Sequence, residues 1–268
     1  MLETLLTLTV AHILADFLLQ TRWIIDHKRE PVAFGLHIAI VAALTCGLSG
    51  SLDPRMLGLI IVSHALADWT KLAWVARGKT PDERKARDTF LVFSLDQVFH
   101  LTMIATATLL WPSTVADGWW GGLPAEQQRF YFQALSAVGG VVLSVTAGGI
   151  VIDKLLERFG PHRDEPAPAT PAGQAAPGQQ TGSTPTTERG LPGGGQAIGW
   201  LERGLTLLFL MIGQPEGVGL LLAAKSILRF SDKNARAHTE YVIIGTLLSF
   251  GWAIITAVLT RVALQHWG

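Results

Sequence analysis

Long apolar runs separated by short polar breaks dominate the chain, at about 2–20, 32–49, 55–76, 88–111, 129–156, 197–213 and 240–264. Most approach the roughly 20 residues that a helix needs to cross the hydrocarbon core of a bilayer. An eighth run, VGLLLAAKSILRF at 218–230, is too short to cross alone and fits a short or re-entrant helix buried against the others. The pattern predicts an all-α, polytopic transmembrane bundle of about seven to eight helices.

Composition agrees, since only 16% of residues are charged while 49% are apolar, a scarcity of charge that a soluble domain does not show. The first run has no basic segment before it and no small-residue cleavage site after it, so it reads as a retained span. Cys46, the single cysteine, lies inside the second run, which excludes intrachain disulfides and Cys-rich metal sites. The net charge is zero and no basic stripe exists, so nucleic acid is not an expected partner. Trp111, Trp119, Trp120 and Trp267 lie at run ends, where indole favours the headgroup layer.

Basic residues fall in alternate loops: Arg22, Lys28 and Arg29; then Arg77, Lys79, Arg84, Lys85 and Arg87; then Lys154, Arg158 and Arg163. By the positive-inside rule these loops are cytoplasmic, and 49–55 and 112–128 lie outside. The basic segment SDKNARAH at 231–238 joins the cytoplasmic side if the 218–230 run counts as a crossing, giving eight helices in the cytoplasmic (inner) membrane with both termini outside. Between about 160 and 195 the chain is rich in Pro, Ala, Gly, Gln and Thr, a composition that cannot bury enough surface to offset the entropy of ordering. It divides the protein into an N-terminal five-helix membrane part (1–156), a flexible cytoplasmic linker (157–196) able to recruit a protein partner, and a three-helix C-terminal part (197–268). The glycines at 193–195 lack the surroundings of a phosphate-binding loop.

Candidate chemistry sits inside the runs. His12 and Asp16, His64 and Asp68, and Asp96 and His100 form three His/Asp pairs four residues apart, and His37 stands alone in AFGLHIAI. The spacing puts each pair on one helical face. Burying an ionisable group at a helix centre costs roughly 2.5–3.5 kcal/mol, so each such residue requires a partner. With the orientation above, all seven lie roughly 6–18 Å below the cytoplasmic surface at the rise of a helix. Four His and three Asp without thiolate suit a divalent transition ion, Zn, Mn or Fe foremost, with Co and Ni also compatible. His12, Asp16, His64, Asp68, Asp96 and His100 are the candidate ligands or water activators, His37 is a further candidate member of that set, and His37 and Asp96 are the candidate catalytic groups. Gln20 and Gln97 are candidate supports, and Lys71 reads as a side chain reaching for the interface. The competing account is polar glue between helices.

A second polar set, Glu202, Arg203, Lys225, Arg229 and Glu240, falls toward the same side. Arg203, Lys225 and Arg229 are candidate contacts to an anionic lipid headgroup, the alternative being ion pairing with Glu202 and Glu240.

HILADFLLQ, HALAD and DQVFH, with IGWLERGL, AAKSILRF and EYVIIGTLLSF near the C-terminus, resemble a family of bacterial integral membrane proteins classified only as a domain of unknown function. The resemblance implies a multi-span membrane protein and no particular activity. The residues themselves point to a metal-dependent hydrolase acting on a membrane lipid or lipid-linked substrate. A divalent-metal or proton transporter, a haem- or quinone-binding protein and a non-catalytic scaffold are the rival expectations.

Overall fold

The computed structural model describes residues 1–157, 194–229 and 236–268, which are helical apart from their turns and include no strand. The proposed linker and the basic segment at 231–238 fall largely outside the described residues. The first helix, α1 (Leu2–Ile13), runs directly into a π turn at Leu14–Leu18. Then follow α2 (Arg22–His27), α3 (Pro31–Ser49), α4 (Pro54–Ala76), α5 (Pro81–Arg87), α6 (Phe90–Leu110) and α7 (Thr114–Asp117). Helix α8 (Ala125–Val142) passes through a second π turn at Leu143–Ala147 into α9 (Gly148–Leu156). The chain closes with α10 (Gly194–Met211), α11 (Glu216–Arg229) and α12 (Arg236–Trp267).

The starts of these helices are written locally. Thr21, Asp53, Thr80 and Thr89 each accept a backbone N–H of the first turn through the side chain, and Pro31, Pro54 and Pro81 follow a cap where a missing N–H costs nothing. At the start of α4, the Arg55 guanidinium donates to Asp53 and holds its carboxyl below the usual carboxylate range. Helix α3 ends at Gly50, whose left-handed φ of 70° suits glycine and frees its carbonyl to accept Trp119 N at 2.9 Å.

Five helical stretches are long and apolar enough to cross a membrane: Pro31–Ser49, Pro54–Ala76, Phe90–Leu110, Ala125–Leu156 and Glu240–Trp267. The three other apolar runs are helical but shorter or more polar. Helix α1 and its π turn total 17 residues, α11 has 14, and α10 carries Glu202 and Arg203 within its 18. Length and composition therefore identify a membrane protein without giving the expected count of seven to eight. The outer faces of α4 and α6 expose Val62, Leu66, Leu95, Val98 and Leu109, as lipid-facing surfaces do.

Helices α1, α3, α4 and α6 close a ring, α1 and α4 each packing on both α3 and α6. Leu8, Val41, Met56, Ile60, Ile104 and Ala107 fill one half of this ring, toward the end where Thr4 donates to the carbonyl of Pro112. The α8–α9 rod packs on α1 and on α12, and α12 packs on α10. Gly139 and Gly140 permit that sandwich, since a Cβ at either would fall 2.8 Å from Val10 or 2.2 Å from Thr260.

Candidate metal centre

The other half of the ring is polar. His12 from α1, His37 from α3, His64 and Asp68 from α4, and His100 from α6 are all buried. Asp16 projects among them from the first π turn. There the chain replaces the regular bond by Leu19 N to Leu14 O at 2.9 Å, a bond one residue longer than α-helical. The extra residue re-aims Asp16: its Oδ2 stays 3.8 Å from His12 Nδ1, while Oδ1 reaches His64 Nε2 at 3.3 Å and His37 Nε2 at 3.5 Å.

Asp16 Oδ1, His37 Nε2 and His64 Nε2 form a triangle whose third side, between the imidazoles, is 3.1 Å. Donors on one tetrahedral ion at the usual metal–ligand lengths stand about 3.3 Å apart, so the triangle has the size that a bound ion requires. Asp68 Oδ2 adjoins the imidazole edge, 3.2 Å from His37 Nε2 and 3.6 Å from His64 Nε2. A second group, His12, Asp16 and His100, brings one donor atom from each residue within 4.8 Å of the others.

Around these donors lies a supporting layer. Lys28, swung back over the ring by the short α2, donates to Asp68 Oδ1 at 2.7 Å. Lys71 donates to Asp96 Oδ2 at 3.1 Å and lies over the Phe93 ring. Gln97 donates to the same carboxylate oxygen at 3.2 Å, and its carbonyl oxygen faces His12 Nε2 at 3.2 Å. Gln20 Nε2 stands 3.5 Å from His37 Nε2.

Two features distinguish this cluster from ordinary polar packing. Three carboxylates face two ammonium groups, so one negative charge lacks compensation unless an imidazole is protonated or a cation binds. In addition, nine buried side-chain atoms among the described residues have no hydrogen-bond partner, and six belong here: His12 Nδ1, Asp16 Oδ1, His37 Nδ1, Asp68 Oδ2, Asp96 Oδ1 and His100 Nε2. Buried polar atoms are rarely left this way, and a shared ion satisfies several at once. A void of about 10 Å³, near the minimum for one water, touches His12, His64 and His100 beside Ser63 and Thr45.

The expected residues divide accordingly. All seven His and Asp residues occupy one region of the ring. His37, expected as a catalytic group and as a further member of the ligand set, sits among the donors, and Asp96, expected as both ligand and catalytic group, belongs to neither donor set and stands behind His12 and His100. Lys71, expected to reach for the interface, turns to Asp96. Lys28, which the sequence offered only as loop charge, enters the cluster. Arg203 and Lys225 lie elsewhere, because α10 packs on α12, α11 and the second π turn rather than on the ring. Arg203 donates to Val145 O through Nε and Nη2, at 3.2 and 2.9 Å, and to Ser249, while Lys225 pairs with Glu202 at 2.7 Å. The side chain of Arg229 lies outside the described residues. A larger groove of about 720 Å³ between α8, α10 and α12 is lined mainly by apolar residues and contains none of the cluster.

A family model described as "Protein of unknown function (DUF3307)" matches residues 4–119. That stretch contains every residue of the cluster and its supporting layer, whereas the C-terminal motifs and the second polar set lie beyond it. No curated protein and no solved structure matches the chain.

Proposed function

We propose that the protein is an intramembrane metal-dependent hydrolase that cleaves a lipid or lipid-linked ester from the cytoplasmic side of the cytoplasmic membrane. In this reading α1, α10 and α11 also cross, making eight crossings, and the linker and basic loops are cytoplasmic. The observation that carries the proposal is the triangle of Asp16, His37 and His64, sized for one Zn, Mn or Fe ion within a cluster that is one positive charge short. A divalent ion held there makes water acidic enough to attack at neutral pH and polarises the ester's carbonyl or phosphoryl oxygen.

The chain's own groups supply the proton traffic. Asp68 presents Oδ2, buried and without a hydrogen-bond partner, next to the imidazole edge, while its Oδ1 is held by Lys28. As the water oxygen bonds to the ester's carbon or phosphorus and the bond to the alcohol oxygen breaks, Asp68 takes one water proton. The Lys28 ammonium gives one to the departing alcohol, and the proton on Asp68 then restores Lys28. Gln97, fixed by Asp96, holds His12 in place. The apolar filling of the other half of the ring favours a centre served from one side over a transit path for ions.

The test separates binding from turnover. Asp68→Asn keeps the three donor atoms of the triangle while removing one negative charge, so with metal in excess the ion is still found by elemental mass spectrometry while ester hydrolysis falls by about 10²–10⁴, the usual contribution of a general base. Wild-type protein that binds no ion, or Asp68→Asn at full activity in the protein that binds one, overturns the proposal.

A further inference from the structure

We infer that the cluster holds a second divalent ion, on His12 Nδ1, His100 Nε2 and the Asp16 carboxylate, so that Asp16 bridges two ions and the substrate is a phosphate ester of a lipid. The substrate half rests on the hydrolase reading; the ion site stands on its own geometry.

The hydrogen bonds fix which nitrogens are bare. Gln97 Nε2 donates to the Asp96 carboxylate, which can only accept, so the carbonyl oxygen of Gln97 must be the atom facing His12. That oxygen accepts from His12 Nε2, which places the ring proton there and leaves a lone pair on Nδ1. His100 Nδ1 donates to the backbone carbonyl of Asp96 at 2.8 Å, which leaves the lone pair on Nε2. Both bare nitrogens are buried and have no partner, and an imidazole that donates its other N–H to a carbonyl is oriented as metal ligands are. The two rings stack with centroids 4.9 Å apart, and the His100 ring lies 4.3 Å from that of His64. The second donor group therefore abuts the first. Asp16 belongs to both, with Oδ1 toward His37 and His64 and Oδ2 toward His12. The small void touches imidazoles of both groups, where an attacking water has room.

Charge then selects the substrate. Three carboxylates and two ammonium groups leave a single negative charge, and two divalent ions convert it into a strongly positive centre. Such a field favours a phosphate dianion over a neutral carboxylic ester, and two adjacent ions are the arrangement that clamps both oxygens of an in-line phosphoryl displacement. In that displacement the water oxygen bonds to phosphorus as the bond to the lipid alcohol oxygen breaks, with Asp68 and Lys28 exchanging the protons as above.

The experiment loads the full-length protein in detergent with Mn²⁺ and reads stoichiometry by elemental mass spectrometry and spin coupling by electron paramagnetic resonance. Wild type is expected to hold two coupled ions, and His100→Gln, with helicity and elution unchanged, one uncoupled ion; His12→Gln provides an independent second variant. One uncoupled ion in the wild type overturns the second site and leaves the hydrolase reading intact, whereas no ion overturns both. Phosphatidic acid in mixed micelles should release phosphate; acyl ester cleavage in its place, or no phosphate release from protein holding two ions, overturns the substrate assignment.

Discussion

Two regions of this protein bury ionisable side chains in helices, and they do so differently. Around Arg203 the guanidinium is answered by hydrogen bonds, and the two buried atoms left without a partner on the second π turn and α10, Ser144 Oγ and Thr206 Oγ1, are uncharged hydroxyls. Its guanidinium donates to Val145 O and Ser249, the carbonyl it uses belongs to the second π turn, and Trp252 takes the carbonyl of Leu143 in the same turn. Lys225 has Glu202. In the ring of α1, α3, α4 and α6 the groups outnumber their partners, six buried atoms lack a hydrogen bond, and one negative charge is left over. A buried charge whose hydrogen bonds are satisfied reads as a fastening between helices, while a set of ionisable groups left unsatisfied around one volume reads as a site for something else. The family match follows the same division, covering the second kind of region and stopping before the first.

The largest effect that can break this comparison comes from Asp16→Ala. It removes the carboxylate common to both donor groups, so bound metal measured by elemental mass spectrometry should vanish while helical content is retained. Gln97→Leu should be milder. It frees the His12 ring without touching a donor atom and should weaken metal affinity, followed by competition with a chelating dye, by about 10- to 100-fold. Arg203→Met should act on stability alone, costing about 1–3 kcal/mol in a denaturation experiment through the lost charged hydrogen bonds, with metal content unchanged. Lys225→Met should do least, within about 1 kcal/mol, as a partly exposed ion pair does. Metal loss in either of the last two would erase the distinction between the regions.

Much of this was legible in the sequence. Every apolar run is helical, and the His/Asp pairs, placed at one depth by counting residues from the basic loops, do meet. Depth is a single coordinate, however, and a lone sequence carries no record of which helices are neighbours. Arg203 and Lys225 are expected toward the same side and still belong to a different group of helices. The π turn at Leu14–Leu18 was invisible because His12 and Asp16 are four residues apart whether the turn is regular or expanded, and that turn determines which oxygen Asp16 offers to His37 and His64. Lys28 was missed because a lysine in a loop reads as solvated charge until α2 folds it back onto Asp68. The short helices α2, α5 and α7, of six, seven and four residues, are too brief to show an apolar period.

The central claim is that Asp16, His37 and His64 together grip a divalent ion. Anomalous diffraction at the absorption edge of the metal, from crystals of the full-length protein grown with that metal, tests it most directly. The account predicts a peak about 2.0–2.2 Å from Asp16 Oδ1, His37 Nε2 and His64 Nε2. A map with no peak inside the ring, or with its peak away from these three atoms, would contradict it.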